Sequence, residues 1–302
     1  MSLLAQSDLP PTRPPGLLSR ARRWEFLRLL VYIVGLIVVL VGTKLAGNLI
    51  TPPDGKPLHH EILLASNLVS AGLLLVAYAL LVHAMERRAV TELGLGKGAG
   101  LFVVGGAVGL ALMASVYLVL RSIHLVTVSP GTGLIGLGGP LAAYFGAAVL
   151  EELLLRAVVF RLVEEVSGTT IAVIFSAALF GLLHALNPGA TIVSGVAIAI
   201  EAGVLLAVAY VLTRNLWFAI GIHLGWNFAE GALFGARVSG GAASHALIRT
   251  SISGPDLISG GGFGPEASVV SVALSAALSA VIILLIVRRA GWRPIAWTPV
   301  AA

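Results

Sequence analysis

A chain of 302 residues with 58% hydrophobic and only 11% charged side chains departs from the balance of water-soluble domains, which carry about 45–50% apolar and about 25% charged residues. Its 19 Lys and Arg and 14 Asp and Glu are too few to cover a water-facing surface, and 36 glycines fit a membrane bundle. An ordinary cytosolic enzyme, a nucleic-acid binder and a disordered chain are excluded, because the basic residues behind the net charge of +5 flank apolar runs instead of forming a patch.

Residues 1–24 are polar, Pro-rich and basic (Pro10, Pro11, Pro14, Pro15, Arg20, Arg22, Arg23) and read as a disordered cytoplasmic lead without an Ala-x-Ala cleavage site. Apolar runs near the ~20 residues needed to span a bilayer then follow at 26–49, 62–84, 101–120, 140–163, 169–186, 190–212, 216–234 and 267–287, which makes eight helices. Asn187-Pro188-Gly189 and Thr213-Arg214-Asn215 separate three closely spaced runs, and breaks this short force antiparallel neighbours. The longest connection, 235–266, is Gly/Ser-rich and reads as a flexible outer loop, and 291–302 as a cytoplasmic tail. With the N-terminus inside, thirteen Lys and Arg fall on the cytoplasmic side and five outside, with Arg156 in the membrane. Both termini are therefore expected in the cytoplasm. The expected fold is an all-α polytopic membrane helix bundle over 25–290, with no second domain. The absence of cysteine excludes a disulfide framework, a Cys-ligated zinc and a cysteine nucleophile.

Ionisable groups inside a bilayer are costly, so each is a functional hypothesis until it is paired away. The fourth run holds Glu151-Glu152-Leu153-Leu154-Leu155-Arg156, the fifth ends in Phe180-Gly181-Leu182-Leu183-His184, and the seventh holds His223-Leu224-Gly225-Trp226-Asn227 with Glu230 a turn later. Glu201 stands alone in the sixth. Residues four apart share a helix face, so Glu152 can pair with Arg156, Phe180 can stack on His184, and His223 and Asn227 point the same way. One glutamate can be neutralised by Arg156 while the other stays free as a base. Three helices can thus aim carboxylates, imidazoles, an amide and a guanidinium at one wet cavity. Hydrolysis inside a membrane needs such parts: a base for water and donors for the developing oxyanion. Taken singly, each motif also reads as structural: a buried ion pair, an interfacial histidine, or an interhelical hydrogen bond.

In order, EELLLR, FGLLH and HLGWN resemble the EExxxR, FxxxH and HxxxN signatures of the CPBP intramembrane proteases, which include type II CAAX prenyl endopeptidases, Abi-type proteins and lysostaphin-resistance-like proteins. The resemblance covers about 141–231. It implies that Glu151 is the water-activating base, that His184 binds or polarises that water, and that Glu152 and Arg156 hold the geometry. His223 and Asn227 would stabilise the oxyanion. Members are often called metalloproteases, which would make Glu151, His184 and His223 ligands of a zinc ion. The implied activity is endopeptidase cleavage of membrane-associated or lipid-modified peptides. The short loops and the spread of the family point to a bacterial inner membrane. A non-catalytic scaffold or immunity protein, or a proton-coupled transporter, is the rival reading; Glu201 and Glu230 lend it some support.

Overall fold

The computed structural model describes residues 20–53, 58–134, 136–243, 245–289 and 292. The lead expected at 1–24 lies outside these residues as far as 19, and so does the tail at 291–302 apart from Trp292. Long runs of Leu, Val, Ile and Ala without internal proline form helices, the one conformation in which an open segment satisfies its own backbone in lipid. The helices are α1 (Arg20–Ile50), α2 (His59–Glu86), α3 (Leu95–Ser122), α4 (Gly138–Glu152), α5 (Arg161–His184), α6 (Ile192–Ile198), α7 (Leu205–Thr213), α8 (Leu216–Asn227), α9 (Asp256–Ser259) and α10 (Val269–Arg288). Helix α1 begins inside the segment read as a lead, so residues 20–24 are helical.

Among the described residues, six helical stretches are long and apolar enough to cross a membrane. One of them, Gly138–His184, contains the fourth expected run and all but the last two residues of the fifth. Gly168 interrupts it at φ 82° and ψ 169°. Glu151 and His184, about equally far from Gly168 in sequence, come within 3.8 Å of each other, so the chain doubles back at this glycine. The seventh run forms α8 and the turn after it, made less apolar by His223, Asn227 and Glu230.

Three π-helical turns interrupt the bundle: Leu153–Phe160 between α4 and α5, Ala199–Val204 between α6 and α7, and Phe228–Leu233 after α8. Their i→i+5 bonding re-aims the side chains beyond them and leaves carbonyls without their usual partners, an arrangement frequent at functional sites. Arg156, Glu201 and Glu230 lie in these turns, one in each.

Helix α8 is held against α3 by four glycines. A Cβ on Gly105 or Gly109 would overlap the carbonyls of Phe218 and Ile222, and one on Gly221 or Gly225 those of Phe102 and Gly106. The two backbones touch directly, as small residues four apart allow in membrane helices, and this contact fixes the depth of His223.

The fold is not purely helical. Strands β1 (Val126–Pro130) and β2 (Ile248–Ile252) pair antiparallel, with Val126 opposite Ile252 and Pro130 opposite Ile248. The segment 235–266, expected as a flexible loop, instead carries β2, α9 and a 3₁₀ turn at Pro265–Ala267. It folds back because glycines supply left-handed backbone, as at Gly240 (φ 80°), whose N–H donates to Phe263 O at 2.8 Å. Phe263 and Glu266 are buried as a result.

One end of the bundle gathers the arginines. Glu86 takes Arg28 at 2.8 Å, Arg161 at 2.6 Å and Arg88 at 2.7 Å, and Arg214 pairs with Glu164. Arg88 also reaches Glu92 at 2.7 Å. Burial alone would raise the Glu92 carboxyl, but hydrogen bonds from Arg88 and Tyr78 outweigh it and hold that group below the usual carboxylate range.

Candidate active site

Glu151 and Glu152 close α4 just before the first π turn, and adjacent positions on a helix face different ways. Glu152 points inward and is fully buried. Its Oε1 accepts from Arg156 Nη1 at 3.2 Å, and its Oε2 lies 3.2 Å from Arg156 Nε. The guanidinium also donates through Nη2 to the carbonyls of Ala202 at 3.1 Å and Gly203 at 3.2 Å, both in the second π turn. Its Cζ stands 4.7 Å from the centre of the Phe180 ring. Arg156 therefore ties together the EExxxR helix, the Phe180 helix and the turn that carries Glu201.

Phe180 and His184 stack at 4.5 Å with 11° between their planes. The His184 Nδ1 lies 2.9 Å from Phe180 O; a carbonyl only accepts, so Nδ1 carries the proton and Nε2 faces the site. His223 behaves in parallel. Its Nδ1 donates to Glu152 Oε1 at 3.0 Å, which again leaves Nε2 facing inward. A carboxylate that orients a histidine fixes its tautomer.

Both Nε2 atoms converge on Glu151. Its Oε2 lies 3.8 Å from His184 Nε2 and 3.9 Å from His223 Nε2, and this oxygen is buried without a hydrogen bond. Asn227, one turn beyond His223 on α8, has no hydrogen-bond partner among the described residues and lines the same cavity as His184 and His223. The six residues expected from the motifs are thus brought together. Glu152 and Arg156 are paired, while Glu151 and Asn227 are left with free polar atoms.

Tetrahedral zinc ligands at 2.0–2.1 Å from the ion stand ~3.3 Å apart, closer than Glu151 Oε2 stands to either Nε2, at 3.8 and 3.9 Å. Among the described residues no group of three or more His, Cys, Asp or Glu is arranged to hold a metal ion. Each of these two gaps can be bridged by a water between Glu151 Oε2 and an Nε2.

The cavity also has walls that the motifs do not announce. Glu201, Trp226, Ser239 and Glu266 line it. Ser239 N donates to Glu266 Oε1 at 2.6 Å, and Glu266 N donates to Glu230 Oε1 at 3.2 Å. Burial pushes the Glu266 carboxyl up from its ordinary value. Glu266 escapes a sequence reading because it sits in a Gly-rich stretch resembling a loose loop; only the helix start that follows it, Ser268 with its oxygen accepting from Ser271 N at 3.1 Å, marks the place.

A carboxylate and two oriented imidazoles thus meet beside a pocket inside an apolar bundle. Residues 135–229 match the family model described as type II CAAX prenyl endopeptidase Rce1-like. The match covers about a third of the chain and includes all three motifs. No curated protein and no solved structure matches it.

Proposed function

We propose that the protein is an intramembrane endopeptidase that cleaves membrane-associated or lipid-modified peptides with a water activated by Glu151. The observation that carries this reading is the buried, unbonded Glu151 Oε2 facing two Nε2 atoms at 3.8 and 3.9 Å. A water held among them loses a proton to Glu151 as its oxygen attacks the scissile carbonyl. The resulting oxyanion accepts from the Asn227 amide and from His223, whose imidazolium form is steadied by Glu152. Collapse breaks the C–N bond, and the proton on Glu151 passes to the leaving nitrogen, giving an amine and a carboxylic acid, which loses its proton to water to become the carboxylate. No step is routed through a metal. An apolar groove of about 400 Å³ between Leu64, Phe102, Leu141, Phe145 and Leu224 supports a substrate that arrives from the lipid.

Eight passes, with both termini in the cytoplasm, follow if Gly138–His184 crosses twice at Gly168 and Leu216–Leu233 crosses once. The arginine-rich end then faces the cytoplasm, and the site lies toward the opposite face, where 235–266 packs. The test is cleavage of a panel of quenched membrane-anchored peptides by purified protein. His184→Ala, His223→Ala and Asn227→Ala should each slow cleavage by about 10²-fold or more while the protein stays folded. Wild-type cleavage rates in all three would sink the assignment. Ion flux tracking Glu201 in a protein that cleaves nothing would favour a transporter.

A further inference from the structure

Glu201 is the most exceptional ionisable group outside the water-activating set. It is 2% exposed, lies on the π turn Ala199–Val204 and has no hydrogen-bond partner among the described residues. Yet it lines the cavity that holds His184, His223 and Asn227. Glu266 lines the same cavity, one oxygen taken by Ser239 N, its own N–H given to Glu230 Oε1, and its carboxyl hydrogen-bonded to that of Glu230. The remaining wall is apolar, from Ile198, Leu205 and Ile222, with Trp226 beside them. Among the described residues no arginine or lysine lines it; Arg156, whose Nη2 reaches the Ala202 carbonyl of its wall, is committed to Glu152 and to the carbonyls of Ala202 and Gly203.

Two carboxyls in an apolar wall, one with no donor, are poorly solvated by the protein and gain most from a cation. The cavity is about 30 Å³, against the roughly 10–15 Å³ that one water-sized group requires. An ammonium fits such a space, whereas a planar guanidinium is larger. The apolar wall suits the methylene stem of lysine, and an indole face attracts its charge.

We propose that this cavity is a specificity subsite for the side-chain ammonium of a lysine near the scissile bond, held between Glu201 and Glu266. The inference rests on the peptidase reading, because it places the lysine beside the Glu151 water. Glu201 is then a specificity residue that acts on binding the peptide.

The test takes a peptide that the full-length wild type cleaves and varies each position within three residues of the cut among lysine, norleucine and arginine. At one position lysine should exceed norleucine in kcat/KM by about tenfold or more, chiefly through KM, with arginine well below lysine. Glu201→Gln should lower kcat/KM for the lysine peptide about tenfold more than for the norleucine peptide. Absence of a lysine preference in the wild type overturns the subsite, whether or not the variant folds. An equal loss on both peptides in Glu201→Gln also overturns it, in favour of a proton relay or a structural role. Binding of the same peptides to Glu151→Gln, read by fluorescence polarisation, separates this inference from the peptidase reading. If nothing is cleaved, the peptidase reading fails; the subsite still stands if the lysine peptide binds about tenfold tighter than norleucine, and falls if the two bind alike.

Discussion

Arg156 carries a full charge into a fully buried position, and it is tolerable there because Glu152, two carbonyls and the Phe180 ring surround it. Removing one partner of a buried pair strands the other, at a cost of about 3–5 kcal/mol. Arg156→Met should therefore lower the unfolding midpoint of the purified protein clearly, and adding Glu152→Gln should recover part of the loss. An unshifted midpoint in Arg156→Met would show that the pair contributes nothing. The four-residue spacing made this ion pair legible in the sequence. It could not reveal that the same Glu152 oxygen also holds His223, because that contact joins helices 71 residues apart. Glu92, at the arginine-rich end, offers a pH test. Its carboxyl is held below its ordinary value of 4.5, so its ionised form stabilises the fold above that pH. The contribution fades as pH falls from there through the lowered folded value. Glu92→Gln should lower the midpoint at neutral pH and flatten the loss of stability on acidification. A parallel acid limb in the variant would refute this assignment.

At the scale of elements, apolar run length was enough to locate the helices, since lipid leaves an open segment few other conformations. It was not enough to see the π turns, because a shift from i→i+4 to i→i+5 bonding has no compositional mark. Yet these turns are what point Arg156, Glu201 and Glu230 into the bundle. The Gly/Ser-rich composition of 235–266 was misleading for a related reason: the same glycines that loosen a linker also permit the left-handed turns that bury Phe263 and Glu266. The α3–α8 contact yields the element-scale prediction. Gly225→Val drives a side chain into the Gly106 carbonyl, and overpacking of a tight contact typically costs about 1–3 kcal/mol. Helix α8 must move and take His223 and Asn227 with it, so cleavage should fall about tenfold or more, as a 1 Å misplacement can cost about 10²-fold. Gly96→Ala, at a position with nothing within 4 Å, should leave both stability and cleavage near wild type. Equal behaviour of the two variants would remove the glycine contact from the account.

Across the whole molecule, the proposed topology puts the arginine-rich end in the cytoplasm, a reading that rests on the count of bases on alternate sides. The chain has no cysteine, so single cysteines report accessibility cleanly. Ser239→Cys should react with a membrane-impermeant maleimide from outside intact cells, and Lys97→Cys only after permeabilisation; the reverse pattern would invert the topology. Three separated motifs become one centre only because Gly168 turns the chain back and α8 lies against α3. The claim on which the rest depends is that Glu151 activates the attacking water. It is tested most directly by measuring cleavage of a membrane peptide in ¹⁸O-labelled water by wild type and Glu151→Gln, each with and without a chelator. The expected result is one labelled oxygen in the new carboxylate, wild-type turnover that survives chelation, and a loss of about 10²–10⁴-fold in Glu151→Gln. Turnover by folded Glu151→Gln at the wild-type rate would contradict the account.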